Sequence, residues 1–188
     1  MVPVKSFEEH AEAVLDILTR AARALSAAGI EYRLAGGAAV YIYVDQVDPE
    51  AARLTRDVDL VINRRDLAGI ENAARAHGFE LRHAAGVDML VDLQNPDHKR
   101  RVHFVFAGEK VHPAYVETAP AIGASVTAAG GVTVIPLADL LRMKLTSFRL
   151  KDQVHIQDLD GVGLITPDIE EALPEVLRGR LAQVRASR

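Results

Sequence analysis

The sequence predicts an α/β protein of the α+β kind: a mixed β-sheet with helices mainly on one side and a helical C-terminal part. Strand-like runs alternate with helical ones only in the first half of the chain, which disfavours a doubly wound parallel sheet. Strand-like runs near 79–84, 88–94 and 101–107 then follow one another, and the part after Pro136 reads as mostly helical. At 188 residues, nearly half of them hydrophobic, the chain is expected to form a single domain over 1–188. Its parts are an N-terminal helix (1–30), a sheet core (31–135) and C-terminal helices (136–188).

The first helix is predicted over 6–28, with Ser6 and Glu9 in capping-box spacing and apolar positions at Phe7, Ala11, Val14, Leu15, Leu18, Ala22 and Leu25. Gly29 stops it. A short strand at 31–35 runs into Gly36-Gly37. The segment 38–44 is ambiguous, because Tyr41-Ile42-Tyr43-Val44 has strand propensity. A polar loop over 45–54 leads to a strand at 57–63, and Arg65 to His77 reads as an amphipathic helix ended by Gly78. Asn95-Pro96-Asp97 marks a turn, and His98-Lys99-Arg100-Arg101 is most simply a solvated hairpin loop. From 113 to 131 the chain is rich in Pro, Ala and Gly and is expected to cross the surface, before a strand at 132–135. Pro136 opens a helix through Phe148, Asp152 is a good N-cap for the next, and a last helix is predicted over 167–184.

Composition narrows the function classes. A formal net charge of −4 argues against a protein that coats nucleic acid through a broad basic surface. Without cysteine there is neither a disulfide nor a thiolate metal site, and a reducing cytoplasm is the simplest compartment. The first thirty residues carry Glu8, Glu9, Glu12 and Asp16 among apolar positions, so neither a membrane span nor a signal-peptide core is expected.

The most informative segment is Thr55-Arg56-Asp57-Val58-Asp59-Leu60-Val61-Ile62. Side chains alternate along a strand, so Asp57 and Asp59 project to the same side, roughly 6.5 to 7 Å apart at the backbone, while Val58, Leu60 and Ile62 face a core. Two like charges on one face are costly without a counter-charge. A hard divalent cation such as Mg²⁺ (or Mn²⁺), which takes carboxylate and phosphate oxygens together, removes that cost. The alternative is a pair that caps the strand and bonds to Arg53 or Arg56. Gly36-Gly37 after a strand reads either as a tight turn or as a place where backbone N–H groups approach an anion at a helix start.

Together, the strand ending in Gly-Gly and the Asp-x-Asp on the next strand resemble the nucleotidyltransferase fold of the DNA polymerase beta superfamily. Leu34-Ala35-Gly36-Gly37-Ala38-Ala39-Val40, Thr55-Arg56-Asp57-Val58-Asp59 and Lys144-Leu145-Thr146-Ser147-Phe148-Arg149-Leu150-Lys151-Asp152 resemble its small bacterial branch of AbiEii-type toxins and MNT-like proteins. The match spans about Tyr32 to Asp158. It implies a helix over 38–44 and transfer of a nucleotidyl group from a nucleoside triphosphate, with Mg²⁺ or Mn²⁺, to an acceptor hydroxyl. The acceptor could be an RNA end, a protein or a small molecule, and the toxin relation implies an antitoxin partner.

On that resemblance, Asp57 and Asp59 are the expected metal ligands and catalytic residues. A third acid is expected on a later strand, where Arg101-Val102-His103-Phe104 places His103 instead; Asp92 and Glu109 are the alternative acids. An imidazole can accept a proton near neutrality but brings no negative charge and suits softer ions. Gly36, Gly37, Thr55, Arg56, Lys144 and Lys151 are the expected nucleotide-binding residues. Lys144 lies beside an apolar helical stripe, so it either snorkels to solvent or points into an anion pocket, and the resemblance implies the pocket. Arg56 either grips phosphate or screens Asp57. Asp152 reads better as a cap than as part of a phosphate site. His155 and Asp158, at i, i+3 spacing, lack a third ligand nearby and read as helical surface polarity. Loss of turnover with the third acid is the rival expectation, leaving a nucleotide-binding or protein-interaction relative, and a metal-dependent phosphohydrolase is a more distant one.

Overall fold

A computed structural model describes residues 5–53, 55, 57–94, 101–128 and 131–187, with side chains from residue 12 onward. Arg56, His98, Lys99, Arg100 and the predicted turn at 95–97 lie outside the described residues, as do the side chains of Ser6, Phe7, Glu9 and Ala11.

Helix α1 (Lys5–Ala27) precedes strand β1 (Tyr32–Ala35), helix α2 (Gly36–Asp45) and strand β2 (Val58–Ile62). A 3₁₀ turn (Arg64–Asp66) leads into α3 (Leu67–Ala76), followed by β3 (Phe79–Ala84), β4 (Val87–Asp92) and β5 (Arg101–Phe106). Two short strands, β6 (Val126–Thr127) and β7 (Thr133–Val134), precede α4 (Leu137–Ser147), α5 (Leu150–Gly161), α6 (Pro167–Glu171) and α7 (Glu175–Ala186). The seven strands form one sheet in the order β3-β4-β5-β2-β1-β7-β6. It is mixed, as the sequence predicts: β1 runs antiparallel to β2, β2 parallel to β5, and β1 parallel to β7.

Alternation along β2 places Val58, Leu60 and Ile62 at 1% exposure or less, while Asp59 between them stays half-buried. Against the sheet pack Val14, Ile17, Leu18 and Leu25 of α1, and the same apolar cluster continues through Leu141 and Leu145 of α4, Ile156 and Leu159 of α5, and Leu177 and Leu181 of α7. Burial at this level contributes about 1.5–3 kcal/mol per large aliphatic side chain. The expected apolar face of α1 needs one correction, since Leu15 is 48% exposed and Ala21 and Ala24 take the inward positions.

Several helix boundaries differ from expectation, α3 by its later start at Leu67 among them. Helix α2 starts at Gly36, two residues early, because the glycine's positive φ of 67° turns the chain from strand to helix without a linker. Asp152 is not the N-cap of α5 but its third residue, where its carboxylate accepts the Arg149 backbone N–H (3.3 Å) in a capping box. The last predicted helix is split, since Pro174, which has no N–H to donate, ends one segment and caps α7.

Among its described residues, the segment expected to wander over the surface carries only the short β6. Buried Arg33 of β1 ties it to the sheet by donating to the carbonyls of Ala124 (3.2 Å) and Gly123.

Candidate active site

Sheet register brings the key residues into one row. Ala35 at the end of β1 pairs with Asp59 of β2, and Asp59 pairs with His103 of β5. Paired residues on adjacent strands share a face. Accordingly His103 Nδ1 lies 3.6 Å from Asp59 Oδ1, an ion-pair separation rather than a well-formed hydrogen bond.

The other side of Asp59 meets Gly36. A Cβ on Gly36 would overlap the carboxylate, with Asp59 Cγ 2.7 Å and Cβ 2.9 Å away. The missing side chain therefore lets Asp59 rest against the first residue of α2, where the helix's positive end favours an anion. Gly37 is crowded too: a Cβ there would lie 2.7 Å from Thr55 Oγ1 and 3.3 Å from His155 Cε1. The glycine pair thus serves close packing around Asp59 and Thr55. The Cβ side of both glycines is occupied by the chain's own side chains.

Asp57 sits one residue before β2, half-buried, and its backbone carbonyl accepts a long contact from Thr55 Oγ1 (3.4 Å). Burial alone would raise the Asp59 carboxyl, but His103 and the charges of Lys144 and Lys151 outweigh it and hold Asp59 below the ordinary range. The same contact with Asp59, opposed by burial and aided by the Asp59 and Asp57 charges, raises the His103 imidazole.

Lys144 is only 5% exposed, so it does not snorkel to water. Its Nζ donates to Asp152 Oδ1 at 3.1 Å. Asp152 is fully buried and also accepts from Ser147 Oγ (2.7 Å) and Arg149 Nε (2.7 Å). Burial would raise the Asp152 carboxyl, but the Arg149 bond, the Lys144 charge and the Ser147 bond hold it at about 2. Lys144 is lowered by desolvation, with Asp152 and then Asp59 opposing. Asp152, at the third position of α5, bonds to the N-cap residue Arg149 and is also the counter-ion of Lys144. Lys151 is exposed on the first turn of α5.

The alternative third acids are elsewhere. Asp92 is 2% exposed and paired with Arg20 at 2.7 Å, while its register partner is Phe79 at the far end of the β3–β4 hairpin. Glu109 binds Arg64 at 2.6 Å on the surface. Asp158 pairs with Arg53 at 3.0 Å. His155 is not surface polarity: it is half-buried against Gly37, and its Nδ1 is buried without a hydrogen-bond partner among the described residues. Burial, then the positive charge of Lys144, lowers it to about 4, so it is neutral at physiological pH. Sequence reasoning missed this packing role and the Ser147 and Arg149 bonds to Asp152, although the spacing of Arg149 and Asp152, i and i+3, is a usable signal.

Among the described residues no three His, Cys, Asp or Glu side chains gather closely enough to hold an ion by themselves. Asp57 and Asp59 are nonetheless hard oxygen donors suited to Mg²⁺, an ion usually bound by one or two carboxylates with the remaining positions taken by phosphate and water. The donor set suits a hard divalent ion.

Three solved structures share this architecture. The antigenic nucleotidyltransferase-like protein from Paracoccidioides brasiliensis is 19% identical, with a TM-score of 0.60 over 95% of this chain and 90% of that one. The antibiotic-resistance factor ANT(2'')-Ia is similar in its crystal complex with adenylyl-2''-tobramycin (12% identity, TM-score 0.51, 94% of this chain and 98% of that one). It is similar in its solution structure as well (13% identity, TM-score 0.50, 95% and 85%). The chain has the nucleotidyltransferase fold. Neither a family model nor a curated protein matches the sequence.

Proposed function

We propose that the protein is a metal-dependent nucleotidyltransferase, of the EC 2.7.7 type, that moves a nucleotidyl group from a nucleoside triphosphate to an acceptor hydroxyl. The observation that carries this reading is the Asp59 carboxylate seated against the glycine that begins α2, with Asp57 two residues before it and a strand-paired histidine beside it. Asp57 and Asp59 would hold Mg²⁺ or Mn²⁺, which when bound would supply neutralisation of phosphate charge. Gly36 and Gly37 at the start of α2, with Thr55, Arg56, Lys144 and Lys151, receive and orient the triphosphate.

The acceptor oxygen attacks the α-phosphorus, forming a new P–O bond. The bond to the bridging oxygen breaks, and pyrophosphate departs with the electron pair. His103 takes the hydroxyl proton at Nε2, since Nδ1 faces Asp59. The fold neighbour bound to adenylyl-2''-tobramycin supports a small-molecule acceptor, whereas the AbiEii/MNT-like motifs support an RNA end or a protein and, with them, a toxin role and an antitoxin partner. The cytoplasm is the proposed compartment, and no helix among the described residues is long and apolar enough to cross a membrane.

His103 in place of an acid favours one rival, a relative that binds nucleotide without turnover. Incubation with α-phosphate-labelled triphosphates, Mg²⁺ or Mn²⁺ and cell extract separates the two. Label transfer that disappears in Asp57→Ala and Asp59→Ala supports the enzyme; triphosphate binding without transfer under either metal supports the rival.

A further inference from the structure

We infer that this chain takes a single divalent ion with its triphosphate, and that His103 occupies the place from which a second ion would be held. The inference rests on the nucleotidyltransferase reading above. Two-ion centres set their cations about 3.5–4 Å apart and need carboxylates enough to hold both. Here β2 supplies Asp57 and Asp59, and the strand beside it supplies an imidazole. Across β5 the next strand offers Met89 opposite His103, not an acid. The two alternative acids named from the sequence are spent, Asp92 on Arg20 and Glu109 on Arg64. Asp92 also lies three residues beyond Met89, about 10 Å along the strand.

Asp59 is packed between His103 and Gly36. Oδ1 faces His103 Nδ1, and Oδ2 lies against Gly36. An imidazole nitrogen is a poor donor for Mg²⁺, so His103 does not restore a second hard-ion site. Fixed cations do the remaining work: the charges of Lys144 and Lys151 reach Asp59, and Lys144 is held by Asp152. One dication balances two carboxylates, and the lysines offset the triphosphate charge that a second dication would otherwise take.

Equilibrium dialysis of the full chain against Mn²⁺ and an equimolar mixture of the four α,β-methylene nucleoside triphosphates tests this, with bound manganese and bound triphosphate counted separately. The expected result is one manganese per bound triphosphate in the wild type and in His103→Gln. His103→Asp is expected to bind two, with manganese–manganese coupling in its electron paramagnetic resonance spectrum. Two ions per triphosphate in the wild type overturn the inference and leave the nucleotidyltransferase reading standing. So does one ion in both His103→Asp and His103→Glu when their unfolding transitions match the wild type. A wild type that binds no triphosphate overturns the nucleotidyltransferase reading itself.

Discussion

The carboxylate of Asp59 fills the space that a side chain on Gly36 would need, so the residue that opens α2 and the central acid of β2 are fitted to one another. Gly29 offers a control, because it shares the φ of 67° but has nothing within 4 Å of its Cβ position. Gly29→Ala is expected to cost about 1–2 kcal/mol of backbone strain and leave transfer intact. Gly36→Ala is expected to cost at least as much and to abolish transfer by displacing Asp59. Denaturant unfolding and label transfer on both variants check the difference.

Substituting the acids separates chemistry from folding. Asp57→Asn and Asp59→Asn are expected to lower transfer on the order of 100-fold or more, since an ion's stabilisation of phosphoryl charge is worth several kcal/mol and about 1.4 kcal/mol is tenfold. Steady-state kinetics with unchanged unfolding midpoints is the check.

The acids outside the site give the opposite pattern. Asp92→Asn is expected to keep transfer and to lose about 2 kcal/mol of stability by removing the buried carboxylate from its pair with Arg20, which keeps Asp16 as a second partner. Glu109→Gln is expected to alter neither. Activity and urea midpoints distinguish both from Asp59→Asn.

Removing one partner of the buried Lys144–Asp152 pair leaves the other desolvated. Lys144→Met is expected to cost about 3 kcal/mol, softened by the Arg149 and Ser147 bonds that Asp152 keeps. It is also expected to weaken triphosphate binding. Lys144→Met combined with Asp152→Leu is expected to recover stability without recovering binding, by calorimetric unfolding and titration.

Acid sensitivity has two windows. His155 is lowered to about 4 from the ordinary 6.5, so between those values the unfolded chain takes up a proton that the folded chain refuses. Its contribution is complete above about pH 6.5 and lost as pH falls toward 4, amounting to about 3 kcal/mol. Asp152, lowered to about 2, contributes above the ordinary 3.8 and loses about 2 kcal/mol as pH falls from there toward 2. Stability measured from pH 7 to 4 is expected to decline less steeply in His155→Gln.

Much of the architecture was legible because hydrophobic period and glycine placement both act locally. The α1 stripe ended by Gly29, the alternation of β2, and the run of strands from Phe79 to Phe106 each follow from residues close in sequence. The helix after Gly36 was not legible in this way, since Tyr41-Ile42-Tyr43-Val44 favours a strand; packing of α2 against β2, α4 and α5 overrides that preference. Within the site, the same-face placement of Asp59 and His103 depended on aligning β2 with β5, and the register supports that alignment. The fit of Gly37 against Thr55 and His155, and the counter-ion of Lys144, join segments far apart in sequence. Neither hydrophobic period nor propensity carries such contacts.

The most direct test of the Asp57–Asp59 centre is a crystal structure with Mn²⁺ and a nonhydrolysable triphosphate, read from the manganese anomalous signal. The expected result is manganese on Asp57 and Asp59 with phosphates at the start of α2. A triphosphate bound elsewhere, or manganese that avoids both aspartates, would contradict it.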